Sequence, residues 1–354
     1  MRILVVTDAW FPQVNGVVRT LDTLRRRLEA RGHETVYITP DSFRTIPCPT
    51  YSEIRLALLP GKTMAQAIQT FQPCVVHIAT EGPLGVTARR YCVKRDIPFT
   101  TAFHTKFPEY VNARFGVPVR WGYKVMRWFH GPSHAIMVAT QGIEDELTNW
   151  GFSNIKRWTR GVDTDLFRPR PKDSLNHLIT GPRPWFVYVG RVAVEKNISA
   201  FLSLDLPGTK IVVGGGPQLE SLKARHPEVH FAGERHGEDL ATHFSVGDVF
   251  VFPSRTDTFG LVLLEALASG LSVAAYPVPG PLDVIGDAPV GVLSEDLRAA
   301  AVKALDIPAE ACRDFALSRS WETSVDQFLK NVHPFDPEDF FASSRNPVEV
   351  GGSA

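Results

Sequence analysis

Short apolar runs alternate with helix-like stretches along most of the chain, and this alternation is the strongest constraint on the fold. Each run is apolar at consecutive positions, which is typical of a parallel strand buried on both faces. The pattern predicts two successive doubly wound α/β domains with parallel sheets. The runs cover residues 3–6, 35–39, 74–78, 99–102 and 136–139, and then 186–189, 211–213, 229–231, 249–252, 272–274 and 290–293. Helix-like stretches between the first runs cover 16–31, 62–71, 85–94 and 141–150.

The alternation weakens between residues 163 and 184, where prolines lie among polar residues. We therefore predict a Rossmann-like domain over 1–165, a linker over 166–184 and a second Rossmann-like domain over 185–318. A helix over 319–333 is expected to pack back on the N-terminal domain. Residues 334–354 are rich in Pro, Ser, Gly and acids and are predicted to form a disordered tail.

The composition argues against several classes of protein. Lys plus Arg and Asp plus Glu both number 38, so the formal net charge is zero, which disfavours a nucleic-acid partner. The four cysteines form no C-x-x-C pair, so no disulfide framework or zinc site is expected, and a cytoplasmic location fits. The N-terminal run resembles a buried strand more than a signal peptide. Since no stretch approaches roughly 18 apolar residues, any membrane contact is expected to be peripheral.

Ligands of such sheets bind at the carboxyl ends of the strands, so the loops there are the first places to examine. In the loop over residues 8–16, Asn15 and Gly16 suit a turn whose backbone N–H groups approach a ligand, although a plain helix cap fits equally well. Glycines also follow the run at 211–213. Gly214 and Gly216 allow close approach of a nucleotide, or simply a tight turn from strand to helix.

The loop after residues 186–189 carries two cations, Arg191 and Lys196, just behind Gly190. A diphosphate leaving group gains negative charge as the glycosidic bond breaks. Two fixed cations and a helix N-terminus can stabilise that charge without a metal ion. The alternative for Lys196 is a surface ion pair with Glu195.

The most specific segment is residues 253–270, which read PSRTDTFGLVLLEALASG. A polar loop follows an apolar strand, and a helix starts near Gly260. Backbone N–H groups of the loop residues Thr258 and Phe259, together with Gly260, suit phosphate or sugar hydroxyls, and a carboxylate can bind a ribose diol. The candidate carboxylates are Asp257 and Glu265. The alternative is a helix cap at the first and a buried ion pair at the second.

This segment resembles the E-x7-E motif of retaining GT-B glycosyltransferases of family 4. Further motifs of that family follow in the same order: D-x-x-x-P-x-x-x-G at 8–16, FHT at 103–105, GVD at 161–163, GR at 190–191 with a lysine at 196, and GGGP at 214–217. The branch with the greatest similarity contains GDP-mannose-dependent α-mannosyltransferases and diacylglycerol glycosyltransferases, including sulfoquinovosyl-type enzymes. The resemblance implies two Rossmann-like domains that face a cleft.

The resemblance also implies roles at the matching positions. Glu265 would hold the nucleotide ribose, and Arg191 with Lys196 the diphosphate. His104 would face the donor sugar, and Gly16 would lie against phosphate or acceptor. Asp257 replaces the more common glutamate, which leaves its contact with the sugar open.

Two further acids and one arginine invite other interpretations. Asp163 and Asp165 imitate the metal-binding D-x-D of another glycosyltransferase architecture, but they stand at the start of the linker. We interpret them as structural and expect no metal and no cofactor besides the nucleotide sugar. Arg255 suits either an acidic sugar or an ordinary surface position.

Residues 119–130 predict a helix with a basic stripe bordered by tryptophan. Such a stripe suits an anionic membrane surface. The alternative is an ordinary amphipathic helix whose aromatic side chains pack inward. The residues of the stripe and its border are Arg120, Trp121, Lys124, Arg127 and Trp128.

The sequence therefore predicts a retaining, metal-independent glycosyltransferase on the inner face of the cytoplasmic membrane. It would transfer a hexose from a nucleotide sugar, with UDP-sugar favoured, to a lipid such as diacylglycerol. The donor would bind the C-terminal domain and the acceptor the N-terminal domain. Two alternatives remain: a GDP-mannose-dependent α-mannosyltransferase acting on a soluble or polyprenyl-linked glycan, and a non-catalytic nucleotide-sugar-binding protein.

Overall fold

A computed structural model describes residues 1–13, 15–48, 51–255, 257 and 259–341. The chain forms two compact units: residues 1–159 with the chain from Val325 onward, and residues 160–324. We call them the N-terminal unit and the C-terminal unit. Each unit contains a six-stranded sheet whose neighbouring strands are all parallel. The prediction of two doubly wound α/β domains is confirmed.

The N-terminal sheet has the strand order β2-β1-β5-β6-β7-β8, while β3 and β4 pair antiparallel as a separate sheet. The strands are β1 (Arg2–Val6), β2 (Glu34–Ile38), β3 (Thr45–Cys48), β4 (Tyr51–Ala57), β5 (Val75–Ile78), β6 (Thr100–Phe103), β7 (Ala135–Val138) and β8 (Ile155–Arg157). The helices are α1 (Gly16–Ala30), α2 (Gly61–Phe71), α3 (Pro83–Lys94), α4 (Phe107–Phe115), α5 (Val119–His130) and α6 (Gln141–Asn149).

The C-terminal sheet has the order β11-β10-β9-β12-β13-β14. Its strands are β9 (Trp185–Val189), β10 (Thr209–Val213), β11 (His230–Gly233), β12 (Val249–Phe252), β13 (Ser272–Ala275) and β14 (Gly291–Leu293). Its helices are α7 (Ile198–Leu202), α8 (Leu219–Arg225), α9 (Gly237–Ser245), α10 (Leu261–Ala268), α11 (Pro279–Val284), α12 (Leu297–Ala304) and α13 (Ala309–Leu317). Two more helices follow, α14 (Trp321–Asn331) and α15 (Pro337–Phe341).

The central strand β1 is apolar from Ile3 to Val6 because both faces of its sheet are covered. In β1, Ile3 and Val5 pack into one buried cluster, whereas Leu4 and Val6 pack into another on the opposite face. All four side chains are fully buried. Burial of one such side chain contributes roughly 1.5–3 kcal/mol, so these strands hold the loops at their ends in fixed positions.

The end of the chain differs from the predicted disordered tail over 334–354. The N–H of Phe335 donates to the carbonyl of Cys74 at 2.9 Å, and the chain then forms α15. Phe341, at the end of that helix, is only 2% exposed and packs into the N-terminal core. Residues 334–341 are thus ordered because their aromatic side chains pack against the N-terminal core. Residues 342–354 lie outside the described residues.

No helix in the described part of the chain combines the length and the apolar character needed to cross a bilayer.

We predict that Phe341→Ala lowers the free energy of unfolding of the N-terminal unit by about 3–5 kcal/mol, because it empties a buried aromatic site. Urea denaturation followed by circular dichroism measures this change. The matched control is Glu338→Ala, an exposed position on the same helix, which should leave the transition unchanged. A similar effect of both substitutions would show that α15 does not pack as described.

Candidate active site

The C-terminal sheet changes direction at β9: the chain continues to β10 on one side and returns to β12 on the other. In open α/β sheets, ligands bind at the carboxyl ends of the two strands that flank such a switch point. Here those ends lead into the loops at 190–197 and 253–260. All the donor-binding residues predicted in this unit lie in these two loops, in the neighbouring loop after β10, or on α10.

The two glycine loops of this unit pack against each other, backbone to backbone. The N–H of Val192 donates to the carbonyl of Gly215 at 2.8 Å. A Cβ atom at Gly214 would lie 1.9 Å from the carbonyl oxygen of Gly190. One at Gly216 would lie 2.4 Å from the carbonyl oxygen of Val192. Close packing between the loops thus explains these glycines, and their contact with a nucleotide stays a prediction.

Lys196 lies at the end of a short 3-10 turn, Val194–Lys196, and its ammonium contacts a carboxylate from the other loop. The distance from its Nζ to Oδ1 of Asp257 is 2.5 Å. Asn197, with φ at +53°, reverses the chain after the turn, and its Nδ2 donates to the carbonyl of Pro253 at 3.1 Å. This second link joins the same two loops and so helps to hold the ion pair in place.

The Lys196–Asp257 pair is partly accessible to ligands. The two side chains are 25% and 20% exposed. Oδ2 of Asp257 is buried and has no hydrogen-bond partner within the described ranges. A buried carboxylate oxygen without a donor is costly, and a sugar hydroxyl is a donor that would satisfy it. The sequence placed both residues in the site but did not pair them.

Tyr188 supports the same loop from inside the sheet. Its hydroxyl donates to the carbonyl of Arg191 at 2.9 Å. Burial raises the pKa of Tyr188 well above its usual range, and the nearby charges of Asp257 and Glu195 act in the same direction. The phenol therefore stays protonated as a donor. The side chain of Arg191 itself is exposed.

Helix α10 begins at the edge of this site. Gly260, with φ at +78°, precedes the helix, and no side chain of the described residues caps it. Asp257 is therefore an ion-pair partner rather than the helix cap that the sequence left open. Glu265 is only 5% exposed on α10, among apolar neighbours. The predicted contact at Thr258 lies outside the described residues, and Phe259 packs on the C-terminal core.

The side chain of Arg255 makes its contacts within the protein, which favours the surface position over a role in binding an acidic sugar. Its Nη2 lies 2.7 Å from Oε2 of Glu295, and its guanidinium carbon lies 3.7 Å from the ring centre of Tyr276. The D-x-D segment is likewise engaged in the fold, because Oδ1 of Asp163 accepts the N–H groups of Asp165 at 3.2 Å and Leu166 at 3.0 Å.

In the N-terminal unit the switch point lies between β1 and β5, and Asp8 occupies it. Its carboxylate accepts the N–H groups of Leu84 at 2.8 Å and Gly85 at 3.2 Å, and the hydroxyl of Thr80 at 2.9 Å. Burial raises the pKa of Asp8, and the two N–H donors oppose that rise. Asp8 thus caps α3 from the loop after β1. The sequence singled out this loop for Gly16 and missed the cap, although an acid directly after a buried strand was a signal.

Gly16 is exposed at the start of α1. Oδ1 of Asn15 accepts the N–H groups of Val17 and Val18, both at 3.0 Å. A helix cap therefore explains the Asn15–Gly16 pair, and the predicted contact of Gly16 with phosphate or acceptor stays a prediction.

His104 follows β6 at the carboxyl edge of the N-terminal sheet. Its ring lies 5.8 Å from that of Trp158, which is fully buried. Two residues further on, Nζ of Lys106 contacts Oε2 of Glu146 at 2.5 Å. His104 therefore lies at a strand end beside a buried tryptophan, and its contact with the donor sugar stays a prediction.

Helix α5 turns its tryptophans outward. Trp121 is 54% exposed and Trp128 45% exposed, so these two side chains lie outside the core, and of the aromatic residues on the helix only Tyr123 and Phe129 pack inward. The predicted cations Arg120, Lys124 and Arg127 are exposed on the same helix. The buried face consists of other residues: Tyr123, Met126, Phe129 and His130.

The fold places the chain in a known structural class. Sucrose-phosphate synthase from Thermosynechococcus elongatus superimposes with a TM-score of 0.77 at 18% identity, over 93% of this chain and 97% of that one. Two Rossmann-like units in one chain, with this likeness, define the GT-B fold of glycosyltransferases.

Two family models match consecutive parts of the chain: Glycosyltransferase Family 4 over residues 14–166 and Glycosyl transferases group 1 over residues 183–307. The chain is therefore a GT-B glycosyltransferase in which a family 4 domain is followed by a group 1 domain.

Three relatives have informative names. A GDP-mannose-dependent alpha-mannosyltransferase of Mycobacterium tuberculosis is 28% identical over 93% of this chain and 95% of its own. A sulfoquinovosyl transferase of Arabidopsis thaliana is 30% identical over 80% of this chain and 60% of its own. An alpha-monoglucosyldiacylglycerol synthase of Streptococcus pneumoniae is 27% identical over 95% of this chain and 85% of its own. The branch that the sequence indicated is confirmed.

We predict that Gly214→Ala disrupts the site while Gly215→Ala does not. The first substitution forces a Cβ atom into the carbonyl of Gly190 at a φ of +143°, whereas a Cβ at Gly215 meets its nearest neighbour, Oε2 of Glu234, at 3.4 Å. Gly214→Ala should destabilise the C-terminal unit by about 1–3 kcal/mol or more and weaken nucleotide binding. Thermal unfolding and calorimetric titration with UDP and GDP test this. Equal tolerance of both alanines would contradict the described loop packing.

Proposed function

We propose that this protein transfers a hexose from a nucleoside diphosphate sugar, with a UDP-sugar as the favoured donor, to diacylglycerol at a membrane surface. The transfer retains the configuration of the sugar and needs no metal ion. The donor binds the C-terminal unit and the acceptor the N-terminal unit. The observation that carries this proposal is the lysine–aspartate pair at the switch point of the C-terminal sheet.

The pair can act on both parts of the donor. Lys196 is paired with Asp257 and can pair instead with a departing diphosphate. Arg191, which is exposed, lies five positions earlier on the same loop. Charge stabilisation then grows as the glycosidic bond breaks, which is where catalysis needs it. Once Asp257 is released from the lysine, both of its oxygens can accept hydroxyl groups of the sugar.

Metal independence follows from the same cations in this proposal. They occupy the role that a divalent ion has elsewhere, and Asp163 of the D-x-D segment is committed to backbone N–H groups. His104 is assigned to the face of the donor sugar near the reacting carbon. The departing phosphate accepts the proton of the attacking hydroxyl, so that the bond to the acceptor forms on the face that the leaving group vacates.

Helix α5 supports an acceptor in a membrane. Its exposed face combines two tryptophans with Arg120, Lys124 and Arg127. Tryptophan prefers the bilayer interface, and each cation near an anionic leaflet contributes about 1 kcal/mol of attraction. The names of the Streptococcus and Arabidopsis relatives, which refer to a diacylglycerol and to a sulfoquinovosyl transfer, agree with this choice.

A second candidate function is transfer of mannose from GDP-mannose to a glycan. The similarity to the Mycobacterium relative over nearly the whole chain favours it. The donor preference decides between the candidates, because the first predicts turnover of a UDP-sugar with diacylglycerol.

We predict that Lys196→Ala lowers kcat by about 100-fold to 1,000-fold, since it removes a charge that acts mainly on the leaving group. Glu265→Ala should instead raise the KM of the donor, by about 10-fold to 100-fold, because ribose contacts are equal in the ground state and the transition state. Steady-state rates with UDP- and GDP-sugars measure both. Lys223→Ala, an exposed position on α8, is the control. Wild-type rates in both site variants would refute the assignment.

We predict that Arg120→Gln with Lys124→Gln weakens binding to anionic vesicles roughly 30-fold, since two cations contribute about 2 kcal/mol. High salt should release the wild type from the vesicles. Co-sedimentation with phosphatidylglycerol vesicles measures the bound fraction. The charge-matched control is Lys62→Gln with Lys223→Gln, both exposed on other helices. Equal loss in both double variants would show that net charge, rather than α5, determines binding.

A further inference from the structure

A buried histidine faces a carboxylate at the carboxyl edge of the N-terminal sheet, and none of the roles assigned above involves either residue. His130, at the end of α5, is fully buried, and its Nε2 lies 3.3 Å from Oε1 of Glu81. Both atoms are buried, and neither has a hydrogen-bond partner among the described residues. Glu81 stands between the end of β5 and the start of α3, beside the switch point.

The histidine ring has no room to turn elsewhere. Rings of three phenylalanines surround it, with centroid distances of 6.0 Å to Phe103, 4.9 Å to Phe129 and 6.3 Å to Phe152. Its other nitrogen, Nδ1, lies 2.9 Å from the hydroxyl oxygen of Thr101. The imidazole is therefore oriented with Nε2 toward Glu81.

The hydrogen-bond chain behind the histidine limits where protons can be. The hydroxyl of Thr101 donates to Oγ of Ser133 at 3.2 Å. With its one proton used there, Thr101 accepts from Nδ1 of His130. Nε2 is then the ring nitrogen of His130 that remains to interact with Glu81. The histidine thus orients the carboxyl group of Glu81 through its buried oxygen.

The Glu81 side chain is partly accessible to a ligand. Its Oε1 is buried, yet the side chain as a whole is 16% exposed. The N–H groups of Leu84 and Gly85 on α3 are already bound by Asp8, so they do not compete for it. In a doubly wound sheet this edge is where a ligand lies.

We propose that Glu81 accepts a hydrogen bond from a hydroxyl group of the sugar acceptor, and that His130 is the positioning residue that aims it. The inference rests on the proposed function, because it gives the N-terminal unit a defined contact with the acceptor. It assigns the acceptor an alcohol group, which diacylglycerol and a glycan both possess.

The test is Glu81→Gln, assayed with the full-length protein on a panel of acceptors: dioleoylglycerol in phosphatidylglycerol vesicles, a polyprenyl phosphate sugar and a methyl mannoside. On whichever acceptor the wild type uses, kcat/KM for the acceptor should fall about 10-fold to 100-fold. The donor KM and the slow hydrolysis of the donor by water should stay within about twofold of the wild type. His130→Phe should raise the acceptor KM in the same way, and Glu81→Asp should be intermediate.

Glu34→Gln is the matched control, since Glu34 begins β2 at the amino edge of the same sheet. It should leave both substrates unaffected. Equal losses for donor hydrolysis and transfer in Glu81→Gln, or wild-type acceptor kinetics in Glu81→Gln and Glu81→Asp, would overturn the proposal. If Glu81→Gln does not fold, Glu81→Asp alone decides.

The proposed function fails separately. Transfer by the wild type to the mannoside alone would refute the lipid acceptor and leave the Glu81 prediction in force. A wild type that transfers sugar to no acceptor of the panel would overturn both.

Discussion

The ion pair between Lys196 and Asp257 holds the candidate donor site of the C-terminal unit together. It joins the two loops that flank the switch point of the C-terminal sheet. Buried strands hold the ends of those loops, and the turn at Asn197 ties them together through the carbonyl of Pro253. A lysine that a carboxylate already holds at the site, unlike one that moves freely in water, only has to exchange that carboxylate for a phosphate when a diphosphate leaves.

The two units use the same architecture for different chemistry. Each has its switch point beside the first strand, but the loops there carry different groups. In the C-terminal unit, glycines allow close backbone packing and the polar groups are a lysine, an exposed arginine and two carboxylates, which suits a charged nucleotide. In the N-terminal unit, Asp8 caps a helix, and Glu81 and His104 stand at strand ends, which suits a neutral alcohol. Specialised loops on a shared scaffold are what a two-substrate transferase needs.

The sequence predicted the parts of the structure that depend on local pattern. Consecutive apolar residues identified the strands of both sheets except β8. The inner strands are buried on both faces, and the edge strands β2, β11 and β14 keep such a run although most of their residues are only partly buried. The short edge strand β8 and the β3–β4 pair do not show such a run: Lys156 and Arg157 follow Ile155 in β8, and Pro47 interrupts β3. Contacts between distant positions could not be derived: nothing in the loops shows that Lys196 meets Asp257, that Asp8 caps α3, or that His130 faces Glu81. The core that orders Phe341 is likewise formed only after folding.

A crystal structure of the protein with a bound nucleoside diphosphate tests the role of the ion pair directly. We expect the diphosphate at the carboxyl ends of β9 and β12, with Nζ of Lys196 within hydrogen-bond distance of a phosphate oxygen and Glu265 on the ribose. A diphosphate bound elsewhere, with the Lys196–Asp257 contact unchanged and Glu265 remote from the sugar, would contradict that role.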